Sequence, residues 1–272
     1  MGVDLRDKAV AITGASSGIG AATALSCARA GMPVALFARR ADRLDAVRAR
    51  IGALGGRAIV VAGSVDEDAD CERLIQETQE AFGSVYAVIA NAGYGQEEPA
   101  WSMNEADIRA MFETNFFGSL RVVRPALASM RARGEGHVVF VSSCLSKIGI
   151  PRYAAYCATK AAQDHFARAM RHELAGDGIA VSSVHPIGTK TEFFDEAAKR
   201  SDGGASLMDR GTERFMQPPE RVARAIVKRL RNGRGGEVWT SLPTRLALGL
   251  ATAMPGTTDA ILGRMYRGRM GG

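Results

Sequence analysis

Short apolar segments alternate with stretches of helical length along most of the chain, and this alternation limits the possible folds more than any other feature. Seven segments occur in the order KAVAIT (8–13), PVALFA (33–38), RAIVVA (57–62), VYAVIA (85–90), HVVFVS (137–142), IAVSSV (179–184) and EVWT (237–240). They are continuous apolar runs, which is typical of strands buried on both faces of a parallel sheet. The pattern predicts an α/β fold, a doubly wound parallel sheet of Rossmann type, as a single domain over residues 1–240.

One long irregular stretch interrupts the alternation between residues 186 and 219. It contains the segments SDGGAS and QPPE. Long loops in compact domains are usually functional lids or disordered segments. The sequence leaves both interpretations open, and we expect the segment to form a lid over the substrate.

Residues 241–272 predict a small C-terminal helical extension, made of two short helices that break at Pro255 and Gly256. The extension carries the basic residues Arg245, Arg264, Arg267 and Arg269. Apolar residues combined with arginines suit an anionic membrane surface. A cover over the substrate entrance or an oligomer contact is the favoured interpretation, because the segment is short and interrupted.

The positive charge of the chain is concentrated near its end. The formal net charge is +6, and residues 199–272 hold 14 Lys and Arg against 6 Asp and Glu. Such an asymmetry can indicate an anionic partner, but arginines on a solvated helix face are the favoured interpretation. No basic run is interleaved with aromatic residues and no zinc-finger spacing occurs. We therefore expect neither nucleic-acid binding nor a metal site.

Cysteine spacing and the N-terminal residues bear on the cellular compartment. The four cysteines lie far apart and form no CxxC pair, which favours reduced thiols in a cytoplasmic protein. Charged residues stand at positions 4, 6, 7 and 8, before any apolar run, so no secretory signal peptide is expected. No apolar run reaches the roughly 18 residues of a membrane-spanning helix.

Three glycines lie where the first predicted strand meets the following helix, in the segment TGASSGIG. Glycines there let the main chain approach a pyrophosphate, and the helix N-terminus offers free N–H groups to the anion. The spacing GxxxGxG differs from the usual GxGxxG, so a plain flexible turn is the alternative. The position directly after a buried strand favours a dinucleotide site. The residues assigned to this site are Gly14, Ser16, Ser17, Gly18, Ile19 and Gly20.

The end of the second predicted strand reads LFARRADRL and indicates which dinucleotide binds. A carboxylate at this place would bind the ribose 2′-hydroxyl of NAD, whereas Arg suits the 2′-phosphate of NADP. Arg39 and Arg40 stand there without a carboxylate, so NADP is favoured. Asp42 follows closely, which leaves NAD open, and two arginines at the start of an exposed helix are the alternative interpretation.

Further motifs follow the glycine turn in a characteristic order. NAG spans 91–93, Asn115 lies in FETNFFGSL, Ser143 lies in VSSCLS, and YCATK runs from Tyr156 to Lys160. In this combination the chain resembles the short-chain dehydrogenase/reductase family over about residues 5 to 240. The joint pattern is far more specific than any one of its motifs.

The resemblance implies a reaction and a role for each of these residues. Hydride would pass between a nicotinamide and the carbon of an alcohol or ketone, while Tyr156 gives or takes the proton. Lys160 would also hold the nicotinamide ribose, and Asn115 would support a water relay to Lys160. Asn91, Ala92 and Gly93 would lie on the cofactor, and the protein would be a homodimer or homotetramer.

Helical spacing supports Tyr156 over Tyr153 as the reactive tyrosine. A tyrosine hydroxyl has an ordinary pKa near 10, so it is a slow base at neutral pH unless its anion is stabilised. Lys160 lies four residues after Tyr156 on the same helix face, where its ammonium can lower the pKa of the phenol. Tyr153 has Cys157 in that place. Ser143, at the end of a strand, can bind the substrate oxygen where charge develops.

Two departures from the family pattern affect cofactor contacts. After the sixth predicted strand the family often has Pro-Gly, whereas Ile187 follows Pro186 here. Thr191 still matches the threonine on the cofactor side. After the third predicted strand the family commonly has Asp, whereas this chain has Ser64 followed by Val65. We assign all five residues to the cofactor on the strength of the resemblance.

The substrate side is less well defined by the sequence. The residues assigned to it are Tyr94, Cys144, Tyr153 and Phe193. Their apolar and aromatic character suits a hydrophobic alcohol or ketone. Lys147 is interpreted as a solvated lysine in preference to a contact for an acidic substrate group.

Three function classes remain open. The leading hypothesis is an NAD(P)-dependent oxidoreductase. A cofactor-binding regulatory or scaffold protein that has the same fold but no turnover is the alternative. An epimerase or dehydratase that retains its cofactor is a third class, although the chain is short for the extended members of the family.

Overall fold

The computed structural model describes residues 2–201 and 216–270. The strands β1 to β7 span Val10–Thr13, Val34–Ala38, Ala58–Ala62, Ala87–Ala90, Gly136–Val141, Ile179–His185 and Gly236–Trp239. Within the described residues these seven strands form one sheet in the order β3-β2-β1-β4-β5-β6-β7, and every neighbouring pair is parallel. The predicted doubly wound sheet is confirmed, and each predicted apolar segment contains or overlaps a strand.

Helices connect the strands and cover both faces of the sheet. The helices α1 to α10 span Gly18–Arg29, Ala41–Ala53, Asp68–Phe82, Glu105–Phe112, Gly118–Arg133, Ala154–Glu173, Phe193–Lys199, Pro219–Asn232, Leu242–Ala253 and Pro255–Met270. A π-helical turn, Glu113–Phe117, joins α4 to α5, and a 3₁₀ turn, Cys144–Lys147, follows β5. The ends of α8 show how the sequence sets such bounds: Pro219 occupies its first turn, and Gly233 ends it at a φ of 64°.

The core has two layers, one on each face of the sheet. Val10 and Ile12 of β1 pack with residues of α1, α2 and α8, whereas Ala11 packs with residues of α3, α5 and α6 on the opposite face. All four residues of β1 are buried. Helices cover both faces of the sheet, so the side chains on both sides of a strand are buried. The strands therefore have no alternation of polar and apolar residues, which explains the continuous apolar runs of the sequence.

The strand order reverses beside β1, which fixes where a ligand can bind. β1 pairs with β2 on one side and with β4 on the other, so the connections that follow these strands leave in opposite directions. A crevice therefore opens at the carboxyl ends of β1 and β4, the place where open α/β sheets bind their ligands.

The two segments that lie outside the alternation of strands and helices differ from each other. Residues 186–219 contain α7 and a bridge between Thr189 and Gln217, while residues 202–215 of the predicted lid lie outside the described residues. The C-terminal extension is helical as predicted, with its break between α9 and α10 at Met254 and Pro255. In the described part of the chain, no helix is long and apolar enough to cross a membrane.

Candidate active site

A cleft of about 570 Å³ opens at the carboxyl ends of the central strands. Residues that directly follow β1, β4, β5 and β6 all contribute to it. The predicted site residues that line it are Gly14, Ser16, Ser17, Gly18, Ile19, Arg39, Arg40, Ser64, Val65, Asn91, Ala92, Gly93, Tyr94, Ser143, Cys144, Tyr153, Tyr156, Lys160, Pro186, Ile187, Thr191 and Phe193. Gly20 and Asn115 lie behind this lining.

The glycine turn leaves no space for side chains. Gly14 has a φ of 63°, and a Cβ there would lie 2.8 Å from Nδ2 of Asn91. A Cβ on Gly20 would lie 2.2 Å from the carbonyl oxygen of Gly14. Ser17 precedes α1 in extended conformation without a side-chain cap, and the first turn has no acidic residue. The N–H groups of this turn are therefore available to an anion, and the turn fits the pyrophosphate of a dinucleotide.

The NAG segment joins the ends of β4 and β1. The main-chain nitrogens of Asn91 and Ala92 donate to Oγ1 of Thr13 at 2.9 and 3.0 Å, and Nδ2 of Asn91 donates to the carbonyl oxygen of Thr13 at 2.9 Å. A Cβ on Gly93 would lie 2.8 Å from Oδ1 of Asn115. These contacts hold the cleft floor between the glycine turn and the side chain of Asn115.

Two arginines stand at the end of β2, where the sequence predicts the 2′-phosphate site. Nη2 of Arg40 donates to the hydroxyls of Ser16 and Ser17, both at 3.1 Å, and Nη1 donates to Oε2 of Glu192 at 3.2 Å. Arg39 is exposed, and among the described residues it forms no ion pair. The guanidinium of Arg40 thus orders the rim of the cleft, while that of Arg39 is accessible to an anionic ligand.

The end of β5 and the start of α6 bring Ser143 and Tyr156 together. Oγ of Ser143 accepts from the nitrogen of Leu145 at 3.1 Å, which fixes the hydroxyl at the start of the 3₁₀ turn. Burial raises the pKa of Tyr156 above its ordinary value, and the nearby Ser143 hydroxyl opposes this effect without reversing it. The phenol ring also packs against Phe193, with ring centroids 5.1 Å apart. Tyr156 therefore keeps its proton at neutral pH.

Lys160 lies below Tyr156 on α6, and its ammonium is held by main-chain and side-chain acceptors beside the ring of the phenol. Nζ lies 5.8 Å from the centre of the Tyr156 ring and donates to the carbonyl oxygen of Val141 and to Oε1 of Gln163, both at 2.9 Å. Burial of the tyrosine outweighs the influences that lower the pKa of its phenol. Burial also lowers the pKa of Lys160 to about 7.

Asn115 is fully buried in the π-helical turn and binds neighbouring main chain. Its Oδ1 accepts from the nitrogen of Tyr94 at 2.9 Å, and its Nδ2 donates to the carbonyl oxygen of Tyr94 at 2.9 Å and to Oγ1 of Thr159 at 3.1 Å. A single π-helical turn within a helix is common at functional sites. The side chain of Asn115 thus holds the segment after β4 against α6.

Gln163 was not predicted from the sequence, yet it links two predicted residues. Its Nε2 donates to the carbonyl oxygen of Asn115 at 2.7 Å, and its Oε1 accepts from Lys160. Gln163 is fully buried. Its amide directly connects the lysine and the main chain of Asn115, which the resemblance expects to communicate through water. The spacing of three residues from Lys160, which puts both on one helix face, was the available signal.

Lys147 is not the solvated lysine that the sequence suggests. Its Nζ lies 2.5 Å from Oδ2 of Asp164 and 2.8 Å from Oε1 of Glu237. Burial alone would raise the pKa of Asp164, but the nearby His185, whose Nε2 lies 3.4 Å from Oδ1, and the hydrogen bond from Lys147 hold it far below its ordinary value. Asp164, Glu237 and His185 are close enough to bind a metal ion, yet the lysine ammonium already supplies the cation. Nδ1 of His185 lies 3.1 Å from the carbonyl oxygen of Ser143, so this buried cluster supports the segment that follows β5.

Tyr153 and Cys144, which the sequence assigns to the substrate side, both line the cleft. Tyr153 contributes its ring, while its hydroxyl donates to Oε2 of the buried Glu97 at 3.3 Å. Nε of Arg152 lies 3.1 Å from Oε1 of the same carboxylate. Burial raises the pKa of the Cys144 thiol to about 11, so it is not a nucleophile at neutral pH. Tyr153 and Cys144 thus shape the cleft without reactive groups of their own.

Replacing Lys160 with methionine should change how stability depends on pH. Folding lowers the pKa of Lys160 from 10.5 to about 7, so the unfolded chain binds more protons between these pH values and the wild-type protein gains stability as pH rises. Relative to Lys160→Met, the free energy of unfolding of the wild type should increase by up to about 1.4 kcal/mol per pH unit in this window. Urea unfolding at several pH values measures the difference. Lys228→Met, at an exposed position, should show no such slope, and a flat difference for Lys160→Met would contradict the argument.

Known proteins share both the sequence pattern and the fold. The family model for short chain dehydrogenase matches residues 8–202. Oxidoreductase asL5 of Sarocladium schorii is 33% identical over 216 residues, which are 79% of this chain and 86% of that protein. Glycine betaine reductase ATRR of Emericella nidulans is 32% identical over 234 residues, or 84% of this chain, but the chain spans only 18% of that longer protein.

Solved structures of similar proteins superpose on most of the chain. A short-chain type dehydrogenase/reductase from Mycobacterium marinum has a TM-score of 0.78 and 28% identity, with 87% of this chain and 94% of the other covered. An alcohol dehydrogenase from the archaeon Thermococcus sibiricus, complexed with 5-hydroxy-NADP, has a TM-score of 0.74 and 28% identity, with 85% and 95% covered. The chain therefore belongs to the short-chain dehydrogenase/reductase family of NAD(P)-dependent oxidoreductases.

Proposed function

We propose that the protein is an NADP(H)-preferring oxidoreductase that interconverts a hydrophobic alcohol and its ketone, with Tyr156 as general acid and base. One observation carries the proposal. The Ser143 hydroxyl and the Tyr156 phenol lie together in the same cleft as the glycine turn. A proton donor and a second hydrogen-bond donor can thus reach the oxygen of a substrate whose carbon faces the cofactor.

Ser143 and Tyr156 suit the reduction of a carbonyl group. A bound nicotinamide would supply the hydride for reduction or accept it in oxidation. Ser143 donates a hydrogen bond to the carbonyl oxygen, where negative charge develops, and Tyr156 transfers its proton to that oxygen. Because the pKa of Tyr156 is raised, the phenol is present in the protonated form that reduction requires.

Lys160 and Gln163 act behind the phenol. The pKa of Lys160, about 7, makes its ammonium a suitable source of the proton that restores Tyr156 after each turnover. Gln163 accepts a hydrogen bond from this ammonium and is itself fixed by the main chain of Asn115. We assign Gln163 as a positioning residue that holds Nζ of Lys160 in place, a role that solvent would otherwise perform.

The preference for NADP rests on the end of β2. Arg39 and Arg40 line the cleft, no carboxylate stands between Phe37 and Arg40, and Arg is suited to a 2′-phosphate. Arg40 is already engaged by two serine hydroxyls and Glu192, so the exposed Arg39 is the freer of the two. The solved relative from Thermococcus sibiricus, which is complexed with 5-hydroxy-NADP, supports the same cofactor.

Replacing Arg39 with alanine should reduce the use of NADPH but not of NADH. Loss of a charge-assisted hydrogen bond to the 2′-phosphate should raise the KM for NADPH about tenfold or more, whereas the KM for NADH, which lacks this phosphate, should stay within about twofold. Steady-state kinetics with both cofactors measures the effect. Arg48→Ala, which removes an arginine paired with Asp45 on α2, is the matched control. An equal loss for both cofactors would exclude the phosphate role of Arg39.

The substrate class follows from the remaining walls of the cleft. The apolar and aromatic side chains that line it include Leu145, Ile150, Tyr153, Phe193 and Phe194. Such a lining favours a hydrophobic alcohol or ketone, and α7, which carries Phe193 over Tyr156, would be part of a lid over it. A panel of alcohols and ketones, followed by the absorbance of the reduced cofactor with NAD and NADP, tests the proposal. If the protein binds NADPH and oxidises none of it, the alternative of a regulatory protein without turnover is favoured.

A further inference from the structure

The helix α9 carries an exposed apolar stripe. Leu242, Leu246, Leu250 and Met254 recur at intervals of four residues, from α9 to its C-cap, and therefore share one side of the helix. Their exposed fractions are 64%, 61%, 64% and 54%. None of the twelve residues of α9 is buried. Four large apolar side chains in a row, each more than half exposed, form the kind of patch that marks an interaction site.

The packing of α9 shows that this stripe does not cover the cleft. α9 lies against the 3₁₀ turn Cys144–Lys147 and against α10, so the helix has contacts with the protein on other sides. The cover over the substrate entrance, which the sequence favours together with an oligomer contact, would require the apolar side chains to face the protein. A side chain that covers the cleft would have lost most of its exposed surface. Each side chain of the stripe instead remains more than half exposed to solvent.

The charges around the stripe favour an anionic partner over a second copy of the chain. Residues 241–272 contain four arginines and one acidic residue, Asp259. Arg245 and Arg264 are exposed. A two-fold contact between copies would place this basic segment against itself, so like charges would oppose association. Anionic lipid headgroups would instead be attracted to the arginines, while the acyl region accepts the leucines.

We propose that α9 binds peripherally to a membrane surface that contains anionic lipid. The stripe would insert at the boundary between headgroups and acyl chains, and the helix axis would lie in the plane of the surface. Arg245 and Arg264 would contact the headgroups. None of these residues lines the cleft, so the proposed surface is distinct from the candidate active site.

Co-sedimentation of the full-length protein with vesicles tests the proposal. Vesicles of phosphatidylcholine mixed with phosphatidylserine should bind the wild-type protein about tenfold or more strongly than vesicles of phosphatidylcholine alone, and added salt should weaken the binding. Leu246→Ser and Leu250→Ser should each lower the partition coefficient about tenfold, since each removes one inserted leucine. Arg245→Glu should weaken binding to the mixed vesicles only.

Leu54→Ser is the matched control, because Leu54 is an exposed leucine on another helix end, and it should bind as the wild type does. Circular dichroism and thermal unfolding verify that each variant is folded. Absence of binding to the mixed vesicles, or binding that Leu246→Ser and Leu250→Ser leave unchanged, would overturn the proposal. So would a wild-type oligomer, measured by sedimentation without vesicles, that dissociates in the two leucine variants, because the stripe would then join copies of the chain.

Discussion

Tyr156→Phe should lower kcat for ketone reduction by about 10² to 10⁴-fold, the usual contribution of a positioned general acid. The substitution removes only the hydroxyl, so the ring remains to pack against Phe193, whose centroid lies 5.1 Å away. The affinity for NADPH should therefore stay within about twofold, because no uniform binding contact is lost. Steady-state kinetics gives kcat, and quenching of protein fluorescence by NADPH gives the affinity.

Tyr153→Phe is the control for this experiment. It makes the same chemical change three residues earlier, at a hydroxyl that donates to Glu97 and not to the reacting group. We expect it to alter the preference among substrates more than the maximal rate, because its ring lines the cleft. Full activity of Tyr156→Phe on a confirmed substrate would exclude the proposed proton transfer. Loss of NADPH binding in Tyr156→Phe would indicate a structural effect instead.

Local patterns in the sequence were sufficient for the fold and for the cleft. The apolar runs predicted all seven strands, because burial on both faces of a parallel sheet leaves a signal in each strand by itself. Residues such as Gly14, Asn91 and Ser143 lie one or two positions after the end of a strand, and the carboxyl ends of parallel strands lie at one edge of a sheet. Their placement in one cleft therefore follows from topology once the strands are known.

Contacts between distant parts of the chain explain what the sequence did not predict. Lys147 pairs with Asp164 on α6 and with Glu237 on β7, and no local pattern joins those positions. Burial raises the pKa of the Tyr156 phenol. The helical spacing in the sequence indicates only that Tyr156 lies near Lys160. Electrostatic effects of burial depend on the complete packing, so helical spacing alone does not predict the direction of this pKa shift.

Gln163→Leu should move the alkaline limb of the pH profile of kcat/KM to lower pH by about one unit and lower kcat by about tenfold. Oε1 of Gln163 accepts from the ammonium of Lys160 at 2.9 Å, and an acceptor stabilises the charged form of lysine. Its loss lowers the pKa of Lys160 further below the value of about 7 that burial produces. The protonated lysine that supports Tyr156 is then lost at a lower pH. Kinetics across the pH range measures the limb directly.

Gln163→Glu separates this effect from a general loss of structure. Both substitutions remove the hydrogen bond that Nε2 donates to the carbonyl oxygen of Asn115 at 2.7 Å, so both should destabilise the fold. Glutamate, however, retains an acceptor and adds a negative charge next to Lys160, which raises the pKa of the lysine. The alkaline limb should therefore move to higher pH in Gln163→Glu and to lower pH in Gln163→Leu. Shifts of the alkaline limb in the same direction, or no shifts, would mean that Gln163 supports only the packing of α6. A loss of packing alone would not move the limb in opposite directions for the neutral and the charged substitution.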